Sequence, residues 1–182
     1  MAYDDIKPGL YRLEELEDYE IADEDPDVRG WEVIARNGKK IGKVDELIVD
    51  PVAMKVRYLD VDLDDDFVRQ RADYTAEDGS EYHLLFPIGA AVLDRTDDNI
   101  LLQDLEPQVL LTYPMYNNGD DISRDYENSV LRTLDPTATD YADDTYYQHE
   151  VYNESRFYGS KEPDTSVNAP NVPTTSIRRR VV

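Results

Sequence analysis

The chain has 182 residues, 40% of them hydrophobic and 33% charged, which suits one domain with extensions and leaves little apolar material beyond a single core. Its 41 acidic against 19 basic residues give a net charge of −22, which argues against binding to a nucleic-acid backbone or to an anionic lipid surface, since both reward Lys and Arg. With no cysteine there is no disulfide, no thiol nucleophile and no thiolate metal site.

In chain order, residues 1–18 form a lead-in. Met1 to Asp5 is acidic and lacks the basic start and apolar run of a secretory signal. Leu10, Leu13 and Leu16 then recur at a spacing of three, as in a short helical turn. Tyr19 to Ala22 reads as a first strand, followed by the charged loop Asp23 to Asp27, which Gly30 closes. Trp31, Val33 and Ala35 alternate with Glu32, Ile34 and Arg36, the period of a strand. Asn37-Gly38 supplies a hairpin turn that tolerates positive φ at both central positions. A second strand runs from Lys40 to Val49, with Gly42 marking a bulge or sharp bend, and Asp50-Pro51 ends it because proline cannot donate to the ladder. In the third strand, Val56 to Leu63, the residues Leu59, Val61 and Leu63 share one face while Asp60 and Asp62 lie on the other. Asp64 to Ser80 is an acidic loop with an Asp78-Gly79 turn signal. Glu81 to Pro87 gives a fourth strand, and Ala91–Asp94 with Ile100–Gln103 give a further hairpin about Arg95–Asn99. The fold these elements predict is mainly β: a small antiparallel barrel over residues 19–105.

Beyond Leu105 the character changes. Pro107, Pro114 and Asn117-Asn118-Gly119 mark a connector. Ile122, Tyr126, Val130 and Leu134 then recur every four residues, which predicts a helix that stops before Pro136. Tyr147, Val151 and Tyr158, with Gly159 as a C-cap, predict a second short helix, so residues 106–159 read as a helical extension packed on the barrel. Residues 160–182 are rich in Pro, Thr, Ser and Asn, end in Arg178-Arg179-Arg180, and read as a disordered tail. The longest nearly apolar run, Leu84 to Leu93, is too short to span a bilayer and contains Pro87, so no stable membrane insertion and a cytoplasmic location are expected.

Few residues suggest chemistry. The acidic run Asp60, Asp62, Asp64, Asp65, Asp66 invites a calcium reading, but an EF-hand loop begun at Asp60 would put Asp65 at the glycine position and Arg71 at the bidentate glutamate position. A solvated strand face and loop explains the run better. His83 and His149 lie on different elements without spaced ligand partners; His83 is expected to face out of its strand and His149 to lie on the polar side of a helix. No nucleophile elbow, phosphate loop or dinucleotide fingerprint occurs, and a small barrel is filled by its own side chains. No catalytic, cofactor-binding or metal-ligating residue is therefore assigned, no cofactor is implied, and the chain is not expected to be an enzyme. Fourteen tyrosines remain. Of these Tyr146, Tyr147, Tyr152 and Tyr158 crowd the second helix and are the candidates for contact with a partner, because tyrosine combines area, rigidity and a polar tip. The alternative is that they cover the chain's own barrel with their hydroxyls in water.

A resemblance narrows the choice. Asp25-Pro26-Asp27-Val28-Arg29-Gly30-Trp31, Asn37-Gly38-Lys39-Lys40-Ile41-Gly42-Lys43-Val44, Val49-Asp50 and Val56-Arg57-Tyr58-Leu59-Asp60-Val61 together resemble a PRC-barrel domain, the module shared by the H subunit of bacterial photosynthetic reaction centres and by ribosome-maturation factors. Leu84 to Gly89, and Glu150 to Gly159 with its Phe157-Tyr158-Gly159 end, resemble the H-subunit branch more closely. H subunits stabilise a membrane complex and assist proton delivery through carboxylates near the quinone. Here the turn Pro51-Val52-Ala53-Met54 holds no acid and the N-terminus holds no membrane helix, while no room precedes Tyr11 for the partner domain of the maturation factors. What both branches imply in common is a barrel that binds another protein. The expectation is a non-enzymatic interaction or scaffold module, of the kind found among stress-associated accessory proteins, acting on a protein partner or as a homo-oligomer. The alternatives are an H-subunit-like photosynthetic accessory and a cation-binding or hydrolytic acidic protein.

Overall fold

The computed structural model describes residues 6–75, 81–139, 141–159 and 175–181. Strand β1 (Tyr11–Arg12) runs into a 3-10 turn (Leu13–Glu15) and is followed by β2 (Tyr19–Ile21), β3 (Glu32–Ala35), β4 (Lys40–Asp50) and β5 (Lys55–Leu63). Next come α1 (Asp65–Val68), β6 (His83–Pro87), a 3-10 turn (Ile88–Ala90), β7 (Val92–Asp94), β8 (Asn99–Leu102), α2 (Pro107–Leu111) and α3 (Arg124–Leu134). Two 3-10 turns (Tyr146–Gln148, Glu150–Tyr152), α4 (Glu154–Tyr158) and β9 (Ile177–Arg179) complete the described chain.

One curled sheet has the order β6-β5-β4-β3-β8-β7, with β1 added to β4, and β2 pairs with β9 in a separate two-stranded ribbon. The expected antiparallel barrel is corrected in one respect: β3 and β8 pair in parallel, from Glu32↔Asn99 to Ala35↔Leu102, so the sheet is mixed. The reason is topological. The β7–β8 hairpin arrives from β6, crosses the sheet and joins the free side of β3, where its second strand runs with β3 rather than against it. No ladder among the described strands joins β6 to β7, so the sheet is a half-barrel.

The β4–β5 hairpin is its spine. At the turn, Asp50 Oδ1 accepts from the Val52 and Ala53 N–H groups, and Met54 takes a φ of 56° to reverse the chain. At the earlier turn only Gly38, not Asn37, takes positive φ, at 78°. Against β5 the register of β4 shifts between Val44 and Glu46, a bulge at Asp45, and against β3 it shifts between Gly42 and Lys40, next to the glycine where the bulge was expected. Gly42 has another duty: a Cβ there would lie 2.0 Å from the Asp62 carbonyl oxygen, so β4 and β5 approach each other through the space a side chain would fill.

β5 is buried on both faces. Leu59, Val61 and Leu63 enter the core as the alternation predicts, but Val56, Tyr58 and Asp60 on the reverse are also fully buried. The expectation of a solvated face is thereby corrected for Asp60 and kept for Asp62, which is exposed. His83, expected to face outward, is 1% exposed in a strand whose five residues are all buried.

The extension also departs from expectation. α3 forms as predicted, capped by Ser123, whose Oγ accepts from the Tyr126 N–H, and it buries Glu127, Val130 and Leu131. The second helix is broken into two 3-10 turns and α4. His149 and Asn153 hold extended backbones and accept, through their side chains, from the N–H groups of Val151 and Ser155, so each ends one turn and caps the next. The acidic loop after β5 contains α1, and its Asp78-Gly79 turn lies outside the described residues. Arg71 proved to be structural: buried beyond α1, its guanidinium donates to the carbonyls of Leu110 and Tyr113 at 2.7 and 2.8 Å. Of the expected disordered tail, residues 160–174 lie outside the described residues. Its arginine end is corrected to strand β9. Ile177 is buried there, and Arg178 sits opposite Glu20 in register and pairs with Glu20 and Asp23 at 2.8 and 2.6 Å. No described helix is long and apolar enough to cross a membrane.

The Gly42 contact yields a stability prediction. Gly42→Ala forces β4 away from the Asp62 carbonyl and should cost about 3 kcal/mol, read as a lower urea midpoint at unchanged m-value.

Candidate functional site

Tyr58 points from the outer face of β5 into the extension, where a second tyrosine and a carboxylate meet it. Its hydroxyl donates to Glu127 Oε1 at 2.9 Å and accepts from the Tyr152 hydroxyl at 2.7 Å. Tyr147 donates to the same Glu127 oxygen at 2.6 Å, and Arg124 donates to the other at 2.8 Å. Arg124 also lies over the Tyr146 ring, 3.9 Å from its centroid, and Arg57 of β5 lies 4.3 Å from the centre of Tyr147. Burial raises the Glu127 carboxyl above its ordinary value, and the donors from Tyr147, Arg124 and Tyr58 offset part of that rise. Burial also raises Tyr58, Tyr147, Tyr152 and Tyr158, so these hydroxyls stay protonated and act as donors rather than nucleophiles.

The four tyrosines expected at an interface divide on burial. Tyr146 and Tyr152 are 1% and 2% exposed and belong to the chain's own core. Tyr147 and Tyr158 are half-buried, and with Tyr152 they wall an open cleft of about 560 Å³ between β5 and the extension. Lys55, Arg57, His149, Glu154 and Ser176 also line it. The charged groups of the wall are engaged, Lys55 with Glu154 at 2.6 Å, Arg57 with Asp50 at 3.3 Å and Glu150 with Arg156 at 3.7 Å, and His149 is hydrogen-bonded to Asp135 at 3.2 Å. Glu154 further accepts from the Val56 N–H at 3.0 Å and from the Ser176 hydroxyl, so α4, β5 and the approach to β9 are tied at one carboxylate. Such a cleft offers aromatic ring area, its Tyr147 and Tyr152 hydroxyls being donated to Glu127 and Tyr58 within the fold.

A second polar group lies further along the same face of the sheet. Asp60, wholly buried, accepts from Arg12 at 2.9 Å through one oxygen and meets His83 Nδ1 at 2.7 Å through the other. Arg12 continues to Asp45 at 3.1 Å and to Asn118 Oδ1 at 2.6 Å, so β1 and the connector are both fastened here. Burial depresses His83, but the hydrogen bond and charge of Asp60, helped by Asp62 and Asp45, outweigh it and leave its pKa raised above 6.5. Among the described residues, Asp45, Asp60 and His83 form the one group whose potential metal-donor atoms all lie within 4.8 Å of one another. This constellation went unread in the sequence, where 23 residues separate Asp60 from His83. The available signal was that His83 opens the unbroken apolar run Leu84-Leu85-Phe86, which marks a strand buried on both faces.

Glu127→Ala leaves two tyrosines and Arg124 without their acceptor and should cost about 3–5 kcal/mol, against about 1 kcal/mol for Tyr147→Phe, both read by urea denaturation. The His83–Asp60 pair gives a pH signature. Because the folded value of His83 is raised, its stabilisation is complete below pH 6.5 and is lost as pH rises through that folded value. In chelator-treated buffer, stability should fall over that window in the wild type and stay flat across it in His83→Gln.

The sequence matches the PRC-barrel domain over residues 11–109, which takes in β1 to β8 and the first part of α2. No curated protein matches the chain.

Proposed function

Because the chain belongs to the PRC-barrel domain family, we propose that it is a non-enzymatic protein-interaction module whose docking surface is the cleft between β5 and the extension. The observation that carries this reading is the state of the cleft wall. Lys55, Arg57 and Glu154 are held in ion pairs within the chain, His149 is hydrogen-bonded to Asp135, and the tyrosine hydroxyls stay protonated. What the wall presents to a visitor is therefore aromatic ring surface, the composition favoured at protein interfaces, with the Tyr147 and Tyr152 hydroxyls turned inward onto Glu127 and Tyr58, rather than a free nucleophile or base. The occupant is a protein partner or a second copy of the chain. Within this reading we favour an accessory or stress-associated scaffold over an H-subunit-like photosynthetic role, since the turn Pro51 to Met54 carries no acid.

The test uses two exposed positions on the cleft rim, Gln148 and Ser155. Native mass spectrometry of the tagged protein, recovered gently from its host, should show a defined extra protein mass or a second copy. Gln148→Arg with Ser155→Arg should remove that mass while the circular dichroism stays unchanged. Retention of the same complex by the double variant would exclude the cleft, and a bare monomer from both growing and stressed cells would exclude the reading.

A further inference from the structure

The surroundings of His83 point to an activity separate from partner docking. His83 and Asp62 are direct cross-strand partners on β6 and β5, so their side chains leave the sheet on the same face, and Asp60 lies on that face two residues before Asp62. On one side of the ring, Nδ1 is held by Asp60 at 2.7 Å, and Asp60 is itself held by Arg12 at 2.9 Å. An ionised carboxylate accepts, so Nδ1 carries the hydrogen and Nε2 is free to present its lone pair. On the other side, Nε2 is buried and has no hydrogen-bond partner; the nearest carboxylate oxygen, Glu81 Oε2, stands 3.7 Å away. His83 as a whole is 1% exposed, and an unsatisfied ring nitrogen at that depth calls for a partner.

A carboxylate that holds one imidazole nitrogen while the other faces further carboxylates is the arrangement by which proteins orient a histidine toward a metal ion. Two such carboxylates flank the ring, and both must swing in to close on an ion, since the donor atoms already within 4.8 Å of one another are those of Asp45, Asp60 and His83. Glu81 is on an exposed side chain, and Asp62 is exposed directly across the ladder.

We propose that His83 Nε2, Glu81 and Asp62 bind a transition-metal dication, with Asp60 and Arg12 as positioning residues that fix the ring. One imidazole nitrogen with carboxylate oxygens suits an ion of the zinc type, whereas calcium and magnesium take oxygen ligands alone. Asp45, tied to Arg12, adds negative charge behind the ligands.

Calorimetric titration with Zn²⁺ tests this, with Mg²⁺ as the control for diffuse attraction to an acidic surface. The wild type should bind one Zn²⁺ saturably. Glu81→Gln with Asp62→Asn, at two exposed positions, should weaken it at least tenfold with the circular dichroism intact, and His83→Gln should do the same. The Mg²⁺ response should not change among the three. Zn²⁺ affinity equal in the wild type and the double variant, or a Zn²⁺ response no stronger than that to Mg²⁺, would overturn the proposal. If His83→Gln fails to fold, the exposed double variant decides alone.

Discussion

Two carboxylates, Asp60 and Glu127, lie among apolar side chains in a chain that already carries a net charge of −22. A charge so placed is tolerated only when donors surround it, and here the donors come from distant parts of the sequence. Asp60 draws Arg12 from β1 and His83 from β6, while Glu127 on α3 draws Tyr58 from β5 and Tyr147 from the extension. Each carboxylate thus acts as a clamp. The first fastens the lead-in to the half-barrel and the second fastens the extension to its outer face. The cleft and the His83 constellation exist because these clamps hold their walls in register.

β5 receives both clamps because it is buried on both faces. One face packs into the half-barrel through Leu59 and Val61, and the other lies under the extension through Val56 and Tyr58. The T-shaped contact between Tyr58 and Tyr152, with ring centroids 5.5 Å apart, adds aromatic packing to the shared hydroxyl bond. Gly42 completes the picture from the neighbouring strand, since the close approach of β4 to β5 leaves no space for a Cβ.

The strands of the half-barrel were legible because their alternation is local: Val33 and Ala35, or Leu59 and Val61, announce an inward face within a few residues. Whether the outward face is also covered is a long-range fact, which is why Asp60 reads as solvated in sequence and lies buried in the fold. The same limit hid the parallel pairing of β3 with β8. It also hid β9, whose Arg178 finds Glu20 across most of the chain. In the extension, the four-residue spacing of Tyr126, Val130 and Leu134 predicted α3 correctly. The second helix failed because His149 and Asn153 satisfy the backbone through their own side chains and interrupt the continuous helix that the apolar spacing suggested. For the candidate interface, Tyr147, Tyr152 and Tyr158 line the cleft, whereas Tyr146 supports it from within.

That the extension is an integral layer of the fold, locked to β5 through Glu127, can be tested most directly by native-state hydrogen exchange. If the clamp holds, amides of α3 around Val130 and Leu131 exchange only through the same global opening as those of β5 around Leu59 and Val61, and the two sets share one free energy of opening. Fast exchange of α3 while β5 remains protected would show that the extension opens on its own, and would contradict the account.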